Sequence, residues 1–274
     1  MRWDCEVTGV IQTDGEVRVA LETPAGPEQV RGSWLVGADG ASSTVRQSLG
    51  LPFAGFTWPD RFVATNIYYD FAAHGHGPAT YVSDPVHWAF IIQINKEGLW
   101  RLAYGEDASL SPGGLRERMS EPARAILPDP GQPYQLDSIS SYRIHERCAS
   151  TFRAGRMLLA GDAAHICNPS GGYGLLGGIY DANALAVSLI AVLEGRRDET
   201  VLDRYADERR AVFLEKTSPR AAQFKSGMMD PEGIRQLHAF AARAAADPAV
   251  MREFVSLPQD LVGTFPIGPN AKLE

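Results

Sequence analysis

RMLLAGDAAHICNPSGGYGLLGGIYDANAL, residues 156–185, places an acidic residue and a glycine-rich turn between a short apolar strand and a helix. Residues 157–160 form an apolar run between two glycines, typical of a buried parallel strand. Further on, apolar residues recur at helical spacing, at Ile179, Ala182, Ala186, Leu189 and Leu193. Gly195 is expected to end that helix. The order strand, turn, helix predicts an α/β fold with a ligand site at the turn.

The turn carries groups suited to a dinucleotide. Asp162 is a fixed anion that can accept hydrogen bonds from a sugar or ribityl hydroxyl. At Gly171, Gly172 and Gly174 a flat ring can approach bare backbone. The start of the helix adds free N–H groups and a partial positive charge, which suit an electron-rich carbonyl or an anionic ring.

Gly172, Gly174 and Gly177 spell G-x-G-x-x-G, the usual dinucleotide-binding fingerprint. The true fingerprint follows its strand directly. Here a long stretch separates the strand end at Ala160 from Gly172. These glycines therefore indicate a different ligand-facing turn rather than a pyrophosphate site.

Composition places the chain among ordinary globular proteins. The 274 residues are 45% hydrophobic and 22% charged, with a formal net charge of −7 and no Lys/Arg run. This argues against nucleic acid or an anionic membrane as the main partner. No signal peptide and no uninterrupted membrane-spanning stretch are evident, so the expected compartment is the cytoplasm. The three cysteines and six histidines lack ligand spacing, and no metal site is expected.

A second motif lies near the N-terminus. Residues 5–36 are expected to be β structure, with a turn at Asp14-Gly15, a loop over 23–28 and a strand over 34–37. GADGASSTVR, residues 37–46, then puts an acid and a glycine at that strand's carboxyl end. Ser42 or Ser43 can cap the short helix that carries Arg46.

The middle of the chain is expected to form a mostly antiparallel sheet. Its predicted strands cover residues 62–71, 80–82, 87–94 and 99–104, and a short helix is predicted near 115–119. After Leu193 the sequence is expected to be helical. Residues 200–203 resemble a capping box, Pro219 is expected to stop that helix, and Asp230-Pro231 and Asp247-Pro248 are expected to open two more.

Together the motifs at 37–46 and 155–185 resemble the FAD-dependent aromatic hydroxylases, the para-hydroxybenzoate hydroxylase family of single-component flavoprotein monooxygenases. The resemblance covers most of residues 5–215. It implies a mixed α/β (α+β) fold with an incomplete FAD-binding Rossmann-like layer, an inserted mostly antiparallel substrate-binding sheet and C-terminal helices. The expected domains are an FAD-binding domain over 1–56 and 145–219, a β-rich substrate-binding domain over 57–144 and a helical segment over 220–274.

The resemblance implies cofactor-binding positions. In the first motif these are Asp39, Gly40, Ser43 and Arg46, near the flavin pyrophosphate and linked to nicotinamide handling. In the second they are Gly161 and Asp162 at the ribityl chain, and Pro169, Gly171, Gly172, Gly174, Leu175 and Leu176 beside the isoalloxazine ring. The family usually has Asn where this chain has Leu176, which removes a side-chain amide contact. Read singly, Asp39-Gly40 is an ordinary turn, Asp162 an N-cap and Arg46 a solvated charge.

The implied reaction is the insertion of one oxygen atom from O2 into a small aromatic or phenolic substrate through C4a-hydroperoxyflavin. FAD is the implied cofactor and NADPH or NADH the reductant, with no metal. Epoxidation and Baeyer–Villiger oxidation stay open. Halogenation is disfavoured because the five tryptophans do not form the W-x-W signature.

Substrate-facing residues are expected on the β-rich segment. Tyr81, Trp88 and Tyr104 are candidates for substrate contact, and His87 and Tyr68 are candidates for a catalytic role; the alternative for each is a core or half-exposed strand position.

The family begins with a strand, a true G-x-G-x-x-G turn and a helix, which the sequence does not show. The chain is therefore expected to be truncated at its N-terminus and to bind FAD poorly alone. Alternatively, a partner polypeptide supplies the missing βαβ unit in a split flavoenzyme, or the chain is a non-redox small-molecule binding module. A homodimer is also an open expectation.

Overall fold

The computed structural model describes residues 1–256, 258–267, 271 and 273. The chain divides into two compact units. The first comprises residues 1–56, 145–222 and 257–274, and the second comprises residues 57–144 and 223–256. The predicted C-terminal segment 220–274 is thus divided between the two units. Within that segment, residues 257, 268–270, 272 and 274 lie outside the described part of the chain.

The first unit opens with a three-stranded antiparallel sheet. Its strands are β1 (Glu6–Gln12), β2 (Val17–Thr23) and β3 (Gly26–Gly32), in the order β1-β2-β3. The strand β3 occupies part of the expected loop over 23–28, because a tight turn returns the chain at once. The Thr23 hydroxyl accepts from the Ala25 N–H at 3.2 Å and donates to the Gly26 carbonyl at 2.8 Å.

A second small sheet holds the two motif strands. The strand β4 (Leu35–Gly37) lies at its edge and is followed by helix α1 (Thr44–Ser48). Its neighbour is β11 (Met157–Leu159), which runs parallel to it and pairs on its other side with β10 (Arg153–Ala154). All three residues of β11 are buried, as predicted for an apolar parallel strand.

Helix α4 (Tyr173–Leu193) follows the second motif, and Gly195, with φ of +68°, ends it as predicted. The apolar spacing identified the helix but not its buried face, because Ile179 and Leu193 are 55% and 64% exposed. The buried face instead includes Tyr180, Asp181, Ala184, Leu185 and Ser188. Since the helix is apolar all round, its hydrophobic positions alone do not show which side packs.

By length and composition α4 could cross a membrane, which the sequence analysis did not expect. Its buried face packs in the main core of the first unit, where Ala184, Leu185 and Val187 join a large cluster of buried apolar side chains. A largely buried core helix passes the same test of length and composition.

The helices after α4 start and stop differently from the sequence expectation. Helix α5 (Thr200–Val212) has no capping box; the Asp198 side chain instead accepts from the Thr200 N–H at 2.9 Å. Pro219 does not stop the helical run. A π-helical turn (Phe213–Thr217) leads directly into α6 (Ser218–Gly227), and Pro219, which has no N–H to donate, comes just after that turn. The short α9 (Gln259–Val262) also belongs to this unit.

A six-stranded sheet contains the strands of the second unit. Its order is β12-β9-β5-β8-β7-β6, and the pairings given by register are antiparallel, as expected. The strands are β5 (Phe53–Tyr68), β6 (Ala79–Val82), β7 (Ala89–Gln93), β8 (Leu99–Asp107), β9 (Gln135–Ala149) and β12 (His165–Ile166). The long strands β5 and β9 contribute residues to both units.

Both faces of the sheet in the second unit carry apolar clusters. One face packs against helices α2 (Leu115–Arg118) and α3 (Ser120–Ile126) through Met119, Ala123 and Ile126. Part of the other face is covered by Phe224, Met228 and Leu237. Leu237 lies on α7 (Pro231–Ala246), which Asp230 caps as predicted by accepting from the Gly233 N–H at 2.9 Å, and α8 (Pro248–Val255) follows.

Candidate functional site

The two sequence motifs leave neighbouring strand ends in the first unit. In the parallel pair of β4 and β11, Gly37 lies beside Leu159, and the Ala160 N–H donates to the Gly37 carbonyl at 3.0 Å. Asp39 and Asp162 therefore follow the carboxyl ends of adjacent parallel strands. This edge is where open α/β sheets bind ligands.

The first motif folds into a tight turn before α1. Gly40 has φ of +80°, a conformation that glycine adopts without strain. The exposed Asp39 accepts from the Val45 N–H at 3.1 Å, and Ser43 accepts from the Arg46 N–H at 3.0 Å. Ser43, rather than Ser42, is therefore the residue that caps the helix.

Arg46 is buried, whereas its simplest sequence interpretation is a solvated charge. Its guanidinium donates to the Ala163 carbonyl at 2.8 Å and the Ala41 carbonyl at 2.6 Å, and it lies 3.8 Å from the centroid of the Phe53 ring. Burial lowers the pKa of this group. Since Ala41 and Ala163 belong to the two different motifs, the Arg46 side chain ties their loops together.

The second motif contacts a buried network of ionisable side chains centred on Asp181. The Asp181 carboxylate accepts from the Gly161 N–H at 3.0 Å and from Arg209 Nε at 2.8 Å, and it contacts His165 Nε2 at 2.7 Å. Burial alone would raise the Asp181 pKa, but His165 and Arg209 outweigh that effect and hold it below its usual value. Gly161 has the left-handed φ of +60°. Its bond to the Asp181 carboxylate holds this backbone, from which the Asp162 side chain projects.

The glycine-rich loop between β11 and α4 is held on its buried side by Glu146, and its backbone is open at Gly172. Buried Glu146 accepts from the Asn168 backbone N–H at 3.1 Å and from its side-chain amide at 2.6 Å. Gly172 has φ of +72°, and a Cβ placed on it would meet no atom within 4 Å. The next N–H groups, at the first turn of α4, have no helical acceptor. Bare backbone and free donors thus lie together at Gly172.

The literal G-x-G-x-x-G string has a structural origin. Gly172 precedes the first residue of α4, whereas Gly177 lies inside the helix. A Cβ on Gly177 would lie 3.4 Å from the His165 ring, and one on Gly178 would lie 3.3 Å from the Gly161 Cα. These glycines let the helix approach the second motif closely.

The ring-side groups fit a flavin. An exposed carboxylate at Asp162 can accept from a hydroxyl, and free N–H groups at the start of α4 can donate to a ring carbonyl. A Cβ on Gly172 would meet no atom within 4 Å, so the backbone there is open to an approaching ring. Ser43 and Arg46 instead direct their polar atoms into the protein.

The substrate candidates on the sheet separate into three environments. Tyr104 and Trp88 are 2% and 3% exposed and belong to the apolar clusters on opposite faces. His87 precedes β7 instead of lying in it, and its Nε2 is 3.6 Å from Glu121 on α3. Tyr68 and Tyr81 are 39% and 48% exposed. Only these last two of the five candidates are at the surface.

The face of the sheet that carries Tyr68 and Tyr81 also carries three residues that were not predicted from the sequence. Asn66 and Arg101 are paired across β5 and β8, and the Arg101 Nε donates to Asn66 Oδ1 at 3.1 Å. Ile92 lies opposite Arg101 on β7. The alternation of side chains along strands could have placed these residues on the Tyr68 face, but only with the register known.

Two cysteines and the metal-binding residue types of the described part of the chain are further candidates for a functional site. Burial raises the pKa of Cys148 and of Cys167 to about 12, so both thiols stay protonated at neutral pH. Within the part of the chain that the structure describes, no group of three His, Cys, Asp or Glu side chains is arranged to hold a metal ion.

Comparison with known proteins gives a family match over most of the chain. A model described as an FAD binding domain matches residues 1–218. The chain is 46% identical over 259 residues to para-nitrophenol 4-monooxygenase of Pseudomonas sp. strain WBC-3. It is 42% identical over 220 residues to 6-hydroxy-3-succinoylpyridine 3-monooxygenase of Pseudomonas putida strain DSM 28022 / S16. These alignments cover 93% and 80% of the chain but 64% and 54% of the relatives, so the chain spans less than two thirds of either relative.

Solved structures share the same architecture. The p-nitrophenol 4-monooxygenase from Pseudomonas putida DLL-E4 superposes with a TM-score of 0.87 at 44% identity, covering 96% of this chain and 68% of that one. An aklavinone-11 hydroxylase in a ternary complex with FAD and aklavinone superposes with a TM-score of 0.75 at 25% identity, covering 98% and 51%. The mixed α/β fold predicted from the sequence is confirmed by these neighbours.

Proposed function

The chain belongs to the family of FAD-dependent aromatic-compound hydroxylases, and from that premise we propose that it acts as a flavoprotein monooxygenase on a phenolic small molecule. The observation that carries the proposal is the meeting of both motifs at one sheet edge. Asp39 and Asp162 follow adjacent parallel strand ends, and the open glycine loop at Gly172 comes next in the chain. The cytoplasm is the proposed compartment.

The chain's own residues would hold the ring half of FAD. Asp162 would accept a hydrogen bond from a ribityl hydroxyl, and it lies on a loop that Asp181 holds through the Gly161 N–H. The free N–H groups at the start of α4 would donate to the flavin ring and would favour negative charge on it. Arg46 keeps the two loops in register by bonding a carbonyl from each.

Bound and reduced, FAD supplies the electrons that activate O2, and NADH or NADPH is the proposed source of those electrons. The overall reaction would consume the reduced nicotinamide, O2, a proton and the phenol, and yield the hydroxylated product, oxidised nicotinamide and water. The relatives named for para-nitrophenol and 6-hydroxy-3-succinoylpyridine support a hydroxylated aromatic ring as the substrate class.

A visible spectrum of the purified chain with added FAD tests the proposal, followed by NADH or NADPH oxidation with and without 4-nitrophenol. We expect a perturbed flavin band, and reductant oxidation and O2 uptake that rise when the phenol is added. A colourless chain that binds the phenol and ignores FAD would contradict the proposal and favour a non-redox binding module. Flavin uptake that needs a second polypeptide would identify a split enzyme.

A further inference from the structure

One face of the second unit's sheet is covered only in part. Phe62, Phe90 and Ala103 on this face lie in the cluster formed with Phe224, Met228 and Leu237. Two residues further along β5, β7 and β8, the same face is exposed or half-buried. We define the open face as Asn66, Tyr68, Tyr81, Ile92, Arg101 and Tyr142.

The open face continues the aromatic surface of the covered part. The Tyr142 ring stacks on Phe62, with centroids 5.7 Å apart and planes at 17°, and Tyr81 meets Phe90 edge-on at 5.1 Å. Both tyrosines are nearly half exposed. Aromatic rings that are fixed on one side and exposed on the other provide contact area for a flat ligand at low entropic cost.

Arg101 is the cation of the open face, and its only bonded partner among the described residues is a neutral amide. Its Nε donates to Asn66 Oδ1, which leaves the two terminal nitrogens with free donors. Two other arginines of the second unit have a carboxylate partner instead. Arg61 and Arg118 both bind Glu106, at 2.5 and 2.6 Å. Asn66 therefore orients the Arg101 guanidinium without cancelling its charge.

The positive charge of Arg101 affects the pKa of Tyr142. Burial raises the pKa of Tyr142, and the positive charge of Arg101 opposes the increase. Opposite Arg101 on β7 lies Ile92, and beyond Ile92 on β6 lies Ala79. From β6 to β5 this row of described side chains is thus Ala79, Ile92, Arg101 and Asn66, and none of the four is a carboxylate.

We propose that Arg101, oriented by Asn66, binds the anionic oxygen of a phenolate or carboxylate on the aromatic substrate and so determines substrate specificity. This inference rests on the proposed function, because it assigns a recognition residue to the same substrate. The two terminal nitrogens of the Arg101 guanidinium can donate in parallel to both oxygens of a carboxylate or together to the single oxygen of a phenolate. Such charge-assisted bonds are about twice as strong as neutral ones. The open face would hold the ring while Arg101 selects the charge.

The test compares two ligands of similar size, 4-nitrophenol above its own pKa and the uncharged 4-methylphenol, by equilibrium dialysis with the full chain. We expect Arg101→Gln to weaken 4-nitrophenolate binding about tenfold, which corresponds to about 1.4 kcal/mol, and to leave 4-methylphenol binding unchanged. Arg101→Lys keeps the charge but loses the fork, so an intermediate loss is expected. The matched control is Arg124→Gln, which removes an exposed arginine from α3 on the other side of the sheet.

Equal losses for both ligands in Arg101→Gln would overturn the inference, because they would indicate lost packing rather than charge recognition. Unchanged 4-nitrophenolate binding would overturn it as well, even if the wild-type chain shows flavin-dependent oxidation. Conversely, selective loss of 4-nitrophenolate binding in a chain without flavin activity would support the role of Arg101 and contradict the proposed function. A wild-type chain that binds neither ligand would contradict both.

Discussion

The loops at the ends of β4 and β11 and the open face of the second unit are built in opposite ways. In the loops, charged side chains turn inward and bind backbone, as Arg46 and Asp181 do, so that glycines and N–H groups face outward. On the open face the backbone is satisfied within the sheet, and side chains such as Arg101 and Tyr81 are presented outward. A site made of backbone groups depends on the buried side chains that hold that backbone in place. A site made of side chains on a sheet depends instead on the register of the strands. Their mutational responses should differ accordingly.

The largest expected effect comes from removing the support under the loops. Asp181→Ala leaves Arg209 and His165 buried without their carboxylate, so we expect the free energy of unfolding to fall by about 3–5 kcal/mol. Urea denaturation measures this loss. Asp207→Ala, at an exposed position on α5, is the control and should change stability by less than about 0.5 kcal/mol. A loss below about 1 kcal/mol for Asp181→Ala would mean that the network does not support the loops.

A buried ion pair in the second unit should give a smaller loss. Lys225 is fully buried, lies 2.8 Å from Asp60 and sits 4.3 Å from the centroid of the Trp58 ring. Lys225→Met keeps the packing but strands the Asp60 carboxylate, which is partly exposed. We expect a loss of about 1–3 kcal/mol in urea denaturation. Adding Asp60→Asn should recover part of it, and a double variant less stable than the single one would refute this explanation.

Two glycines at opposite ends of α4 offer a matched pair with a still smaller effect. Gly172 and Gly195 both have left-handed φ values, and a Cβ on either would meet no atom within 4 Å. Gly172→Ala and Gly195→Ala should therefore each lower thermal stability by a similar amount, about 1–2 kcal/mol of backbone strain. Unequal losses measured by calorimetry would show that one glycine has a packing role that the structure does not reveal.

The contribution of Asp181 to stability should be constant at neutral pH and should fall only in acid. The pKa of Asp181 is lower in the folded chain than its usual value. Its contribution to stability is therefore full above the unfolded pKa and is lost as pH falls through the folded pKa. Asp181→Asn should flatten the acid limb of a plot of unfolding free energy against pH. An acid limb as steep as that of the wild type would assign the effect to other carboxylates.

The helix cap in the first loop was accessible to sequence reasoning because its chemistry is local: Ser42 or Ser43 was predicted, and the structure selects Ser43. The left-handed φ values at Gly40, Gly161 and Gly172 were not predicted, although each position is one where glycine adopts such a value without strain. The buried ion pair that supports the second loop could not be predicted, because Asp181 and Arg209 come together only after two helices pack. The same limit explains why the buried face of α4 was missed: both sides of that helix are apolar.

The open face was predicted only in part because strand register sets it. Aromatic residue type suggested five candidates, of which Tyr104, Trp88 and His87 lie elsewhere than on the open face. Arg101 shares the face with Tyr68 because β8 pairs with β5 in one particular register, with Asn66 opposite Arg101. Shifting that pairing by one residue would send Arg101 to the other side.

Titration of FAD into the wild-type chain, Gly172→Ala and Gly195→Ala, followed by the flavin absorption band, tests the central claim most directly. The claim is that the backbone at Gly172 forms the ring side of a flavin site. It predicts a saturable spectral change in the wild type and in Gly195→Ala, and a change that is weaker or absent in Gly172→Ala. A spectral change of equal affinity in all three proteins, or in none of them, would contradict it.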